Sequence, residues 1–367
     1  MSAESRLPAP EQGKRIALVL GAGGARGIAH VGVIQAIEAR GYRIAGIAGS
    51  SMGSLVGGIY AAGRLQEYSD WARGLQRSDV LRLLDFVYGF PGLIRGDRVI
   101  GALRELVGDH LIEDLPMPYV AVATDLASQR EVWLTRGKLF DAIRASIAIP
   151  MIFTPAHVDG RELVDGGLLA PVPIAATRQM HVDRVIAVDV NGPVPWMNPA
   201  LEPRHEEIHA SHGDDEEPDE NGGGGSLRER MASLWDGIAS SVTPSRHASG
   251  HEKSRGVMDL MSRSLDTMQA HMSRVQLAQD PPDLLIQMSR EVATFYEFWR
   301  ANELVDEGRA VAEKALDAAE RAMRLNPHYP SSYAYQRGLA LFGLNRLDEA
   351  AKALVGSDSA MPRSLAK

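Results

Sequence analysis

Three features of this chain predict an α/β fold in which helices pack on a doubly wound, mainly parallel sheet. Short aliphatic runs recur along it, too uniformly apolar for half-exposed strands and too short for independent helices. They alternate with stretches of helical period, beginning strand–loop–helix–strand–turn–helix over residues 15–62. Glycine-rich turns join the first two strands to their helices.

The elements follow in order. Arg15-Ile-Ala-Leu-Val-Leu20 is aliphatic and suits a buried parallel strand. Gly21-Ala-Gly-Gly-Ala-Arg-Gly27 must be a loop. Ile28, Val31, Val33, Ile34 and Ile37 then share a helical face, and Gly41 is the expected C-cap. Ile44 to Ala48 reads as a second buried strand, Gly49-Ser-Ser-Met-Gly53 as a turn, and Ser54 to Ala62 as a helix. Further strands are expected at 119–125, 131–135, 184–190 and 284–288, and helices at 68–84, 97–106, 139–146 and 257–279. Met231, Leu234, Trp235, Ile238 and Val242 mark one more helical face, whose mixed charges favour packing on the domain over a membrane.

Composition narrows the function. The chain has 367 residues, 45% apolar and 23% charged, enough to bury a sizeable core. It has no cysteine, which excludes disulfides, thiolate metal sites and a cysteine nucleophile. No apolar run reaches the ~18 residues of a membrane span, and residues 1–15 show no secretory signal. The expected location is cytoplasmic, with at most peripheral contact at a membrane. The net charge is -8, and nine acidic residues against Arg204 alone between Glu202 and Glu220 account for all of it. The remainder is neutral, so no basic field exists to draw in nucleic acid.

Residues 1–14 are expected to be a flexible N-terminus. Residues 194–226 combine prolines, the acidic run and four consecutive glycines, and read as a disordered insertion in a domain spanning 15–303. Residues 304–367 turn alanine-rich and helical. Tyr335 to Ala350 has tetratricopeptide-like spacing, but about one and a half repeats is too few for a stack, so a helical cap is the plainer expectation.

Gly49-Ser50-Ser51-Met52-Gly53 fits G-x-S-x-G, a strand-to-helix turn that exposes a serine hydroxyl at the carboxyl end of a sheet. An ordinary Ser/Gly turn would give the same letters. The loop 21–27 opens a helix, so its amides suit a phosphate or a developing oxyanion. A dinucleotide G-x-G-x-x-G fails because its third glycine would fall on Arg26. Asp165-Gly166-Gly167 holds an aspartate where backbones approach closely, or is a plain turn.

In this order, G-G-x-R-G, G-x-S-x-G and D-G-G resemble the patatin-like phospholipase family, in its bacterial branch related to the neuropathy target esterase catalytic domain. Ile28 to Val33 and Ala145 to Pro155 support the resemblance, which covers roughly residues 15–310; the family's first loop glycine falls on Ala22. The resemblance implies a three-layer α/β/α fold with a mainly parallel central sheet, here with a C-terminal helical extension. It implies a serine acyl hydrolase with a Ser–Asp dyad acting on phospholipid, lysophospholipid or another long-chain ester. Ser51 would be the nucleophile and Asp165 the proton acceptor. Gly49 and Gly53 would shape the elbow. Amides of Gly23, Gly24, Ala25 and Arg26 would form the oxyanion hole, and no metal or cofactor would be needed. Arg26 would either brace the loop or meet an acidic head group. None of the eleven histidines, His30 and His157 included, stands in a catalytic motif.

Leu83 to Ile94 is apolar and aromatic, broken by glycine and proline. It suits an acyl pocket, a lid touching a bilayer, or a core-packed loop. The competing expectation is a regulatory or scaffolding protein that engages a protein partner, or a second copy of itself, through residues 304–367.

Overall fold

The computed structural model describes residues 15–85, 94–196 and 257–325. The expected N-terminal segment 1–14, the core of the apolar stretch 83–94, the insertion from 197 onward, the helix around Trp235 and the tetratricopeptide-like segment lie outside these residues. The described residues form β1 (Arg15–Leu20), α1 (Ala29–Ala39), β2 (Arg43–Ser50), α2 (Met52–Ala61), α3 (Leu65–Gly74), α4 (Arg77–Leu83) and α5 (Asp97–Val107). Then come β3 (Tyr119–Asp125), β4 (Arg130–Leu134), α6 (Leu139–Ser146), β5 (Ala156–Val158), β6 (Arg161–Asp165) and β7 (Arg184–Gly192). Last are α7 (Val257–Gln279), β8 (Leu284–Ser289) and α8 (Ala301–Leu325).

The strands pair in the order β5-β6-β3-β2-β1-β7-β8, with β4 also on β3. The run β3-β2-β1-β7-β8 is parallel, whereas β4, β5 and β6 join antiparallel. The sheet is thus mixed, mostly parallel, and flanked by helices.

Strand β3 organises the rest. Ala121 pairs with Gly49 of β2 and with Leu134 of β4, so β2 and β4 lie on opposite edges of β3. Ala123 pairs with Val132 of β4 and with Asp165 of β6, so β6 lies on the edge that β2 occupies. Strand β2 ends at Ser50, opposite Val122; β6 arrives from the other direction and ends at Asp165, opposite Ala123. Two strand ends therefore meet head-on along one edge of β3.

Alternation builds two cores from one buried sheet. Ile16, Leu18 and Leu20 of β1 join a large cluster with α1, α2, α3, α5, α6 and α8. Val19 points the other way and packs with Val172, Ile174, Ala187 and Leu277 of α7. Ala48, paired with Val19 and so on that same face, fills a further cluster with Val120, Val122, Ala170 and Ala176.

Two expectations are corrected. The single helix expected at 68–84 is two, because Gln76 and Asp79 form a capping box that ends one and starts the next. The expected boundary between 303 and 304 falls inside α8, which lies along α1 as part of the domain. The two helices touch backbone to backbone: a Cβ on Gly32 would come within 1.9 Å of the Val305 carbonyl, and one on Gly308 within 2.1 Å of the Ala29 carbonyl. Arg40 adds ion pairs to Asp317 and Glu320. Because α8 covers the outer side of α1, residues Ala29 to Ile34 are all buried.

Candidate active site

The turn after β2 carries Ser51 at φ 54°, ψ −127°, in the left-handed half of φ space that a residue with a Cβ avoids. Three contacts hold it there. The Ser51 amide donates to Ser146 Oγ at 3.0 Å, and Ser146 in turn donates to the Val122 carbonyl. The Ser54 amide and hydroxyl both donate to the Ser51 carbonyl, at 2.9 and 2.7 Å. Gly49 and Gly53 flank the turn because no Cβ fits. One on Gly49 would lie 2.4 Å from the Gly53 carbonyl, and one on Gly53 only 2.0 Å from that of Leu20.

Asp165 ends β6 on the neighbouring register position and is completely buried. Its amide donates to Ala148, its carbonyl accepts from Thr124 Oγ1, and its Oδ1 accepts from the Gly167 amide at 2.7 Å. Burial pushes its pKa up from 3.8 to about 7, with the Ser51 hydroxyl and the Gly167 amide pulling the other way. Oδ2 has no hydrogen-bond partner among the described residues. Gly166 lies so close to β3 that a Cβ would meet the Val122 carbonyl at 2.1 Å.

The glycine loop ends in a 3-10 turn, Gly24–Ile28, that abuts the elbow: a Cβ on Gly27 would meet that of Met52 at 2.4 Å. Of the four amides expected to line an oxyanion hole, two are occupied. Ala25 donates to the Phe295 carbonyl at 2.8 Å and Arg26 to the Gly23 carbonyl at 3.1 Å. The amides of Gly23 and Gly24 have no partner among the described residues. Gly24 sits at φ 53° against the Phe295 ring, where only glycine fits.

Known proteins decide the family. The patatin-like phospholipase family model matches residues 18–178. An uncharacterized NTE family protein of Mycobacterium tuberculosis is 39% identical over 343 residues, covering 83% of this chain and 92% of that protein. The Mycobacterium bovis counterpart matches to the same extent. The chain belongs to the NTE family of patatin-like phospholipases. Human patatin-like phospholipase domain-containing protein 6 is 35% identical over 194 residues, covering 51% of this chain and 14% of that much longer protein. Membership implies hydrolysis of lipid acyl esters.

Within this patatin-like domain the remaining candidates separate. The Arg26 side chain is buried. It donates to Asn191 Oδ1 at 2.9 Å and to the Ala293 carbonyl at 3.0 Å, and pairs with Asp266 at 3.4 Å. These partners fit the bracing alternative of the two expected for it. His30 is buried, its Nε2 2.8 Å from the Gly21 carbonyl, and burial lowers its pKa to about 4. The ring is therefore neutral and donates to that carbonyl, which makes it a loop anchor. His157 lies exposed on β5, 3.8 Å from Glu162. Sequence reasoning missed Ser146 and Asn191, whose partners lie 95 and 165 positions away. It also missed that Ser51 is only 2% exposed. Helix α7 lies over the D-G-G turn: Gln269 Nε2 would be 2.8 Å from a Cβ on Gly167, and Gln276 donates to the Leu169 carbonyl. Among the described residues no helix is long and apolar enough to cross a membrane.

Proposed function

We propose that this chain is a serine acyl hydrolase that cleaves carboxylic esters of lipids through an acyl-enzyme, using Ser51 and Asp165 as its dyad. What supports the reading most is one juxtaposition. A serine in a strained turn directly follows Ser50, the strand end opposite Val122, and a carboxyl raised to about 7 stands opposite the next residue, Ala123, beside a loop with two unpaired amides.

Ser51 Oγ attacks the ester carbonyl while its proton passes to the Asp165 carboxylate. The oxygen that gains charge is held by the Gly23 and Gly24 amides; one such donor is worth ~10²–10³ in rate. The tetrahedral adduct collapses as Asp165 returns the proton to the departing alcohol. Water then attacks the acyl-serine with Asp165 as base, and Ser51 leaves protonated. Asp165 near 7 is close to the ideal for both directions of transfer at neutral pH. Long-chain phospholipid or lysophospholipid is the proposed substrate, reached by transient contact with a membrane surface.

The test is labelling with a fluorophosphonate, read by intact mass. The expected result is one adduct on wild type, none on Ser51→Ala, and labelling of Asp165→Asn slowed ~10²–10⁴-fold, with all three folded. An adduct on Ser51→Ala would sink the assignment.

A further inference from the structure

We infer that Asn191, at the end of β7, is a positioning residue that aims the oxyanion hole. The inference rests on the acyl-hydrolase reading above. Asn191 is 7% exposed, and its amide, its Oδ1 and its Nδ2 each have a partner. Its amide donates to Asp189 Oδ1 at 2.9 Å, its Oδ1 accepts from Arg26 Nε at 2.9 Å, and its Nδ2 donates to the Ala22 carbonyl at 2.8 Å.

The last bond carries the consequence. The Ala22 carbonyl and the Gly23 N–H belong to one planar trans peptide and point in opposite directions. Holding the carbonyl fixes where the N–H points. A trans peptide whose oxygen already accepts a hydrogen bond is also polarised, which strengthens its N–H as a donor. The next peptide is held the same way from within the loop, because the Gly23 carbonyl accepts from the Arg26 amide and so directs the Gly24 N–H. Both unpaired amides are therefore aimed through their carbonyls, one by the local turn and one by Asn191. The glycines cannot hold these planes alone, since they lack the Cβ that narrows φ and ψ elsewhere. Arg26 in turn fixes the rotation of the Asn191 amide, so that its NH₂ and not its oxygen faces Ala22.

Asn191→Asp isolates the effect. It keeps the shape and the acceptor for Arg26, and replaces the donor to Ala22 by an oxygen. With p-nitrophenyl butyrate, kcat is expected to fall about ten- to hundredfold with KM within twofold. The inhibition constant of a butyl trifluoromethyl ketone should rise by the factor by which kcat/KM falls. Asn191→Ser, which retains a hydroxyl donor, should recover part of the loss. A role in stability alone would lower the melting temperature without separating kcat from KM. Unchanged kcat in folded Asn191→Asp overturns the inference, as does failure of both variants to fold. The underlying reading fails separately, if wild type takes no fluorophosphonate adduct.

Discussion

At Ser51 and Asp165, the features proposed for chemistry cost stability. A non-glycine residue at φ 54° carries strain on the order of 1–3 kcal/mol. Ser51→Gly should remove both the hydroxyl and the strain, giving an inactive protein about 1 kcal/mol more stable by urea unfolding. Asp165 works in the same sense. Its folded pKa of about 7 lies above the unfolded 3.8, so the folded state binds the proton more tightly. Stability from this group is full below about pH 4 and is lost as pH rises through 7, on the order of 4 kcal/mol in total. Asp165→Asn should therefore be more stable than wild type at pH 8 and no more stable at pH 4. Activity has the opposite dependence: kcat/KM should rise with pH and level off above about 7, because only the carboxylate accepts the proton. His30 has the reverse linkage to stability. Its folded pKa of about 4 lies below the ordinary 6.5, so its contribution is full above 6.5 and is lost on acidification. Replacing His30 by a non-titrating residue should reduce the loss of melting temperature between pH 6.5 and 4.

At the scale of elements, periodicity and apolar runs located most of the architecture. Strand β3 and helices α6 and α7 lie where the residues placed them. What escaped depends on partners far along the chain. Strand β5 is only three residues long, and nothing local distinguishes it from a loop. Nothing in Arg161 to Asp165 announces that β6 runs antiparallel, since direction is set by the partner strand. The candidate site was legible where a motif is local, in the elbow and the D-G-G turn. It was not legible in Ser146, whose neighbours give no hint that its hydroxyl bridges Ser51 to Val122. Helix contacts were equally hidden. Gly32 reads as a weak point in α1, yet it is where α8 approaches most closely. Gly32→Ala should push α8 outward and destabilise by about 3 kcal/mol or more, at the overpacking end of core substitutions. A melting temperature within a degree of wild type would contradict this.

Over the whole molecule, the glycine loop, elbow and D-G-G turn converge because β1, β2 and β6 end at one place around β3 and β7. Ser51 and Asp165 are both closed off, and the α7 helix that lies beside them is tied to the loop by the Asp266–Arg26 pair. Asp266→Asn removes the charge of the pair while keeping an acceptor for the buried Arg26, so the chain should still fold. It should also raise the rate of fluorophosphonate labelling by freeing the helix; an unchanged rate would mean that entry runs elsewhere. The head-on meeting of β2 and β6 has a broader meaning. Strand β3 acts as a ruler on which Ser50, the residue just before the nucleophile, and the Asp165 carboxylate occupy adjacent graduations, Val122 and Ala123. Within the segment that joins them, the turn between β3 and β4 makes no contact with the site described above and is free to change length, whereas Ser146 and Ala148, which hold Ser51 and Asp165, are not. A single residue inserted between Val122 and Ala123 would instead turn the carboxylate to the other face of the sheet. The few residues of β3, chemically bland as they are, are where this lineage has the least room to drift.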